Sequence, residues 1–177
     1  MTAFSVKISV AELSDAEVIV DLSRKTFFDT FASKNTKEDM DKYLDEKFSL
    51  NVVRSELNDP STVFFLASIN EEPIGYSKSK QNKIPAAADN DNALEIERLY
   101  VSKDHQNKKI GAILLKENIK HAEKKTLDTV WLGVWEHNPK AIEFYKRWGF
   151  EVFDKHIFVL GNDPQNDLLM RKQIKTK

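Results

Sequence analysis

The chain has 177 residues, 41% hydrophobic and 31% charged, with a formal net charge of −1: enough for one domain around a sizeable core, and no electrostatic reason to expect nucleic acid as a partner. Cysteine is absent, which excludes disulfides, thiolate nucleophiles and Cys-ligated zinc or iron–sulfur sites. No apolar run approaches the roughly 20 residues of a membrane span, and MTAFSVKISV lacks the apolar core of a secretion signal, so the cytoplasm is the expected compartment.

FSVKISV alternates and reads as a first strand. Ser14, with Glu17 three residues on, is the expected N-cap of a helix to about Thr30, with Val18, Leu22 and Thr26 or Phe27 at helical spacing. Residues 35–58 are charged and helical in flavour, with Met40, Tyr43, Leu44 and Phe48 on one apolar stripe and the mixed charges expected on a solvated face. After Pro60, TVFFLASI and PIGYSKSK form two strands about a turn at Asn70-Glu71-Glu72. NKIPAAADNDN is a loop by composition, LEIERLYV a strand, 107–124 a helix and TVWLGVW a strand. Residues 139–148 form a short helix, and EVFDKHIFVL and NDLLMRKQI are late strands round Gly161-Asn162-Asp163-Pro164. The order is that of a mixed α/β layer domain rather than a regularly alternating parallel one.

LEIERLYV changes parity. Leu94 and Ile96 share one face, whereas Leu99 and Val101 fall on the other. Two readings fit: a strand buried on both faces, or a one-residue bulge near Glu97-Arg98 that returns both pairs to one face. In the second case the strand splays from its neighbour and Glu97 stands at the mouth of the resulting cleft.

The next stretch, DHQNKKIGAILL, runs from a polar loop into a helix. A helix N-terminus offers about four free backbone N–H groups and a positive dipole end. The Lys108–Ala112 region can therefore take a pyrophosphate, Lys108 and Lys109 add positive charge, and Gly111 and Ala112 are small enough for close approach. The alternative is a surface loop with solvated lysines. Lys109 is strained if its φ is positive and acceptable if helical. No G-x-x-x-x-G-K-[ST] or G-x-G-x-x-G is present.

In WLGVWEHNPKAIEFYKRWGF, Asn138 is a good N-cap, Pro139 fits the first helical position and Gly149 the stop. Ala141, Phe144, Tyr145 and Trp148 share one side. Tyr145 puts a phenol inside that apolar stripe, where its hydroxyl needs a partner or a cavity.

Taken together, LEIERLYV, Gln106-Asn107-Lys108-Lys109-Ile110-Gly111 and the Asn138, Ala141, Phe144, Tyr145, Gly149, Phe150 series resemble the GNAT family of acetyl-CoA-dependent N-acetyltransferases. The loop matches the family pattern [QR]-x-x-G-x-[GA] except that Lys109 replaces the first glycine. TFFDTF, WLGVWE and HIFVLGNDPQNDLLM look more narrowly like the PaiA-type polyamine acetyltransferases. The resemblance implies one domain over 1–177, built on a mixed, mostly antiparallel sheet with a splayed central strand pair and flanking helices. It implies acetyl-CoA on the amides from Lys108 through Ile110 to Ala112, its arm pairing like an extra strand with Leu99 and Val101, whose ladder partners the bulge releases, and Asn138 touching that arm. It further implies attack by a primary amine on the thioester, with Glu97 as base, the Leu99 N–H polarising the carbonyl, and Tyr145 protonating the thiolate.

Asp29, Glu95, Glu97 and Asp167 are the expected anionic contacts for a substrate such as spermidine or spermine, with His156 near the pocket. The four histidines show no metal-ligand spacing, so no metal is expected. A homodimer is an ordinary state for the family. Two other readings of the same motifs stay open: a protein N-terminal or lysine acetyltransferase, and a non-catalytic acyl-CoA-binding module.

Overall fold

The computed structural model describes residues 5–85 and 92–174; positions 86–91 of the composition-defined loop lie outside the described residues. Seven strands form one sheet: β1 (Val6–Val10), β2 (Thr62–Ile69), β3 (Glu72–Gln81), β4 (Ala93–Val101), β5 (Thr129–Trp135), β6 (Glu151–Leu160) and β7 (Asp163–Gln173), in the order β1-β2-β3-β4-β5-β7-β6. Every neighbouring pair is antiparallel except β4–β5. That parallel pair needs a crossover, which is the helix α4, Ile110–Lys124 in the numbering used below.

Strict alternation in β2 shows why both faces are covered. Phe64 and Leu66 pack against the helices α1 (Ala16–Phe31) and α3 (Leu50–Asn58), while Phe65 and Ala67 pack against α4. The helix α2 (Lys37–Lys47) joins the first side through Met40 and Leu44, and α5 (Pro139–Arg147) joins the second through Tyr145.

Several local expectations shift. Ser14 is not the cap: it lies in a one-turn 3-10 piece, Leu13–Asp15, where the Asp15 carboxylate accepts the Glu12 N–H at 2.8 Å. Ile19 takes the buried place expected of Val18, beside Ala16 and Leu22, and Val18 is 36% exposed. The 35–58 segment is two helices, each started by its own hydroxyl cap. Thr36 accepts from the Asp39 N–H and Ser49 from the Val52 N–H. The turns tighten to two residues. Ile69 pairs with Glu72 about Asn70 and Glu71, both at positive φ, the hand that matches strand twist. Leu160 pairs with Asp163 about Gly161-Asn162.

The parity change in β4 is a bulge. Lys78 pairs with Arg98 but Ser79 with Ile96, leaving Glu97 as the extra residue. Leu94, Ile96, Leu99 and Val101 consequently all pack toward the α4–α5 side, while Tyr100 packs toward α1. A buried amide pins the irregularity. Asn118 of α4, fully buried, donates to the Ser77 hydroxyl at 2.8 Å and accepts from the Ser79 hydroxyl at 2.5 Å, one contact on each side of Lys78.

Candidate active site

Pairing between β4 and β5 stops after Glu95–Trp131, so the two strands diverge beyond it and open a cleft through the sheet. One expectation needs correcting here. The bulge does not free Leu99 and Val101 from β3, since they still pair with Ser77 and Gly75. The free edge is the one turned toward β5, and it is the splay that frees it.

A cavity of about 420 Å³ fills this cleft. On the α4–α5 side it is bordered by Ile96, Leu99, Val134, Asn138, Ala141 and Tyr145. On the other side aromatic rings from α1, α2, β5 and β6 wall it, among them Phe31, Tyr43, Trp135 and Phe158. Each element delivers its residue for a local reason. Asn138 caps α5, accepting the Ala141 N–H at 3.2 Å through Oδ1, and borders the cavity. Pro139 starts that helix and Gly149, at φ +81°, ends it. The two caps hold Tyr145 in the second turn, where its ring packs on Phe144 and Phe150 at 5.1 and 5.7 Å. Burial raises the Tyr145 pKa, so the phenol holds its proton at neutral pH.

Glu95, Glu97 and Asp167 all line the cavity, as does His156. Asp29 does not: it follows Phe28 on the exposed side of α1. The acids differ in how they are held. Glu95 accepts from the Asn82 amide at 2.7 Å, and burial raises its pKa. Glu97 is ion-paired with Lys78. Lys78 also binds Glu56 at 2.7 Å, and Glu56 in turn takes both ends of the Arg98 guanidinium at 2.8 Å. Sequence reading missed this cluster. Its trace was Lys78, a lysine in the middle of a long strand, only 5% exposed here and therefore in need of acids.

At the other end of the cleft, Ile113 is the first residue to close a helical bond, onto the Lys109 carbonyl at 3.1 Å. The N–H groups of Ile110, Gly111 and Ala112 thus have no carbonyl within their own helix. The Gln106 side chain reaches back to the Val101 carbonyl, at 3.4 Å, tying loop to strand. Lys109 has φ +63° and Asn107 φ +64°, so the strained alternative for Lys109 is the one realised. A left-handed non-glycine costs about 1–2 kcal/mol, and glycine returns part of that as unfolded-state entropy. Lys109→Gly is therefore expected to raise the melting temperature by about 2–4 °C, read by calorimetry. A Lys109→Val protein as stable as the original would contradict this.

The arrangement pairs a helix start with free N–H groups, a free strand edge, a protonated phenol and an acid-lined, aromatic-walled cavity. No helix among the described residues is long and apolar enough to cross a membrane, and no group of three His, Asp or Glu among them could hold a metal.

Residues 18–150 match the acetyltransferase (GNAT) family. The chain is 34% identical over 169 residues to an uncharacterized N-acetyltransferase of Lactobacillus delbrueckii subsp. lactis, covering 96% of this chain and 98% of that one. It is 31% identical over 156 residues to the spermidine N(1)-acetyltransferase of Thermoplasma acidophilum, covering 85% and 91%. Among solved structures, the PaiA N-acetyltransferase from T. acidophilum in complex with coenzyme A superposes with a TM-score of 0.78 at 26% identity, covering 96% and 99%.

Proposed function

Since the chain belongs to the acetyltransferase (GNAT) family and is an acetyl-CoA-dependent N-acetyltransferase, we propose that its acceptor is a primary amine of a small polyamine such as spermidine or spermine. The observation that carries this reading is the cavity itself, walled by aromatic rings and carrying carboxylates on the far side of the cleft from Tyr145. Aromatic faces attract alkylammonium groups, and carboxylates supply the countercharge. A protein tail would need a broad open groove instead. The T. acidophilum spermidine acetyltransferase supports the same class of acceptor.

The residues present fit the coenzyme. The amides of Ile110, Gly111 and Ala112, with Lys108 and Lys109, would take its pyrophosphate, as free N–H groups at a helix start suit an anion. The open edge of β4 at Leu99 and Val101 takes its arm as an added strand, and Asn138 offers the amide NH2. A methyl added at Gly111 meets nothing nearer than Leu99 Cδ2 at 3.7 Å, so protein packing alone does not demand a glycine there. Acetyl-CoA brings an activated acyl group; the chain's own side chains move the protons.

An alkyl amine of pKa about 10 arrives protonated and must lose a proton before it attacks. Glu97, at the bulge, is one receiver, alone or through a water; Tyr145 is the donor that returns a proton to the leaving sulfur. One domain over 1–177, a homodimer and a cytoplasmic setting belong to the same proposal. The test is free-thiol release from acetyl-CoA with spermidine, spermine, small monoamines and an N-terminal peptide. Turnover at least tenfold higher in kcat/KM with the polyamines is expected. Turnover of the peptide alone would move the acceptor to protein.

A further inference from the structure

We infer that Asp167 is the group that meets the acceptor's ammonium and takes its proton, an assignment that rests on the small-amine reading above. Of the four carboxylates lining the cavity, three already have donors: Glu56 holds Arg98 and Lys78, Glu97 is paired with Lys78, and Glu95 takes the Asn82 amide. Among the described residues, no group donates a hydrogen bond to the Asp167 carboxylate or forms an ion pair with it. A half-buried carboxylate that opens onto the cavity with no protein donor among the described residues is free to take a cationic ligand there.

Its position suits the chemistry. Asp167 pairs across the sheet with Trp135 of β5 and His156 of β6, so it stands one strand beyond the β5 edge of the cleft and still borders the cavity. Gly133 of β5 leaves it room. A Cβ there would lie 3.2 Å from Asp167 Oδ2 and 3.4 Å from His156 Cε1. Gly133, Asp167 and Tyr145 border one cavity, with proton acceptor and proton donor on opposite sides of the sheet.

The groups facing Asp167 are His156 from β6, Glu136 from the end of β5 and Tyr43 from α2. Burial, reinforced by Glu136 and opposed by His156, pushes its carboxyl up to about 6. At neutral pH it is mostly ionised yet more basic than an exposed aspartate, which suits proton acceptance. The ammonium gives one proton to Asp167 and on to solvent. The nitrogen lone pair forms the C–N bond as the C–S bond breaks. The second proton lost from nitrogen balances the thiolate, which ends as thiol with Tyr145 as its donor.

The experiment compares wild type, Asp167→Asn and Glu97→Gln for kcat and KM on spermidine across pH 5–9, with coenzyme affinity by calorimetry as the check that each variant is folded. The assignment predicts a 10²- to 10⁴-fold loss of kcat in Asp167→Asn, coenzyme affinity unchanged, and a wild-type kcat/KM for spermidine that falls as pH drops through about 6. Loss confined to KM would make Asp167 a binding group only and overturn its proton role. Wild-type kcat in Asp167→Asn, or a full loss in Glu97→Gln alone, would hand that role to Glu97. A wild type that acetylates peptide but no small amine would overturn the acceptor reading beneath it and this assignment together.

Discussion

Tyr145→Phe is expected to lower kcat by two to four powers of ten while leaving the melting temperature within a few degrees of the original. The two halves of this result follow from different features. The ring does the packing, against Phe144 and Phe150 and within the cluster that includes Leu115, Leu132 and Val134, and phenylalanine keeps all of it. The hydroxyl donates to no group among the described residues, so its removal breaks no internal bond. What is lost is the proton. Burial holds the phenol neutral at neutral pH, the state that the proposed role of donor to the leaving sulfur requires. Single-turnover kinetics with a saturating amine would separate this from a packing role. A variant with normal kcat and a raised KM for acetyl-CoA would show that the hydroxyl only seats the coenzyme arm.

The features legible in the sequence are those whose cause lies within a few residues. Asn138, Pro139 and Gly149 bound α5 because capping acts over one turn, and the residues between them could be assigned to a face by count alone. The bulge was legible as a parity conflict, since a regular strand cannot put Leu94, Ile96, Leu99 and Val101 on one side; the pairing of Lys78 with Arg98 and Ser79 with Ile96 resolves it. The strain at Lys109 was legible only as a conditional, because the loop's φ depends on how α4 docks. Long-range polar contacts were not legible. Glu56 lies 22 residues from Lys78 and 42 from Arg98, and nothing local marks it as other than a solvated helix residue. Asp29 fails for the complementary reason: one step of 100° round a helix separates it from Thr30, which does border the cavity.

The same cluster carries the largest expected effect on stability. Glu56→Gln should cost about 3 kcal/mol, the lower end of the range for breaking a buried pair, and lower the melting temperature by about 6–12 °C for a chain of this size. The side chains of Lys78 and Arg98 are only 7% and 13% exposed, and that of Glu56 18%, so water cannot replace the lost carboxylate as it would at a surface pair. Two contacts soften the loss. Lys78 retains Glu97, and the Arg98 guanidinium retains its place over the Phe48 ring, 4.8 Å from its centroid. Neither supplies the bidentate acceptor that Arg98 loses. Adding Arg98→Met to the variant should recover part of the stability, because the cost lies in the stranded charge rather than in the missing bond. The cluster also anchors both residues of the bulge, Glu97 through Lys78 and Arg98 through Glu56, so the single variant is expected to raise KM for acetyl-CoA several-fold as the β4 edge loosens. A melting shift under about 2 °C would place the cluster among surface ion pairs. A large shift with unchanged KM would leave it a purely structural brace, with the strand edge held by Asn118 and the hydroxyls of Ser77 and Ser79 instead.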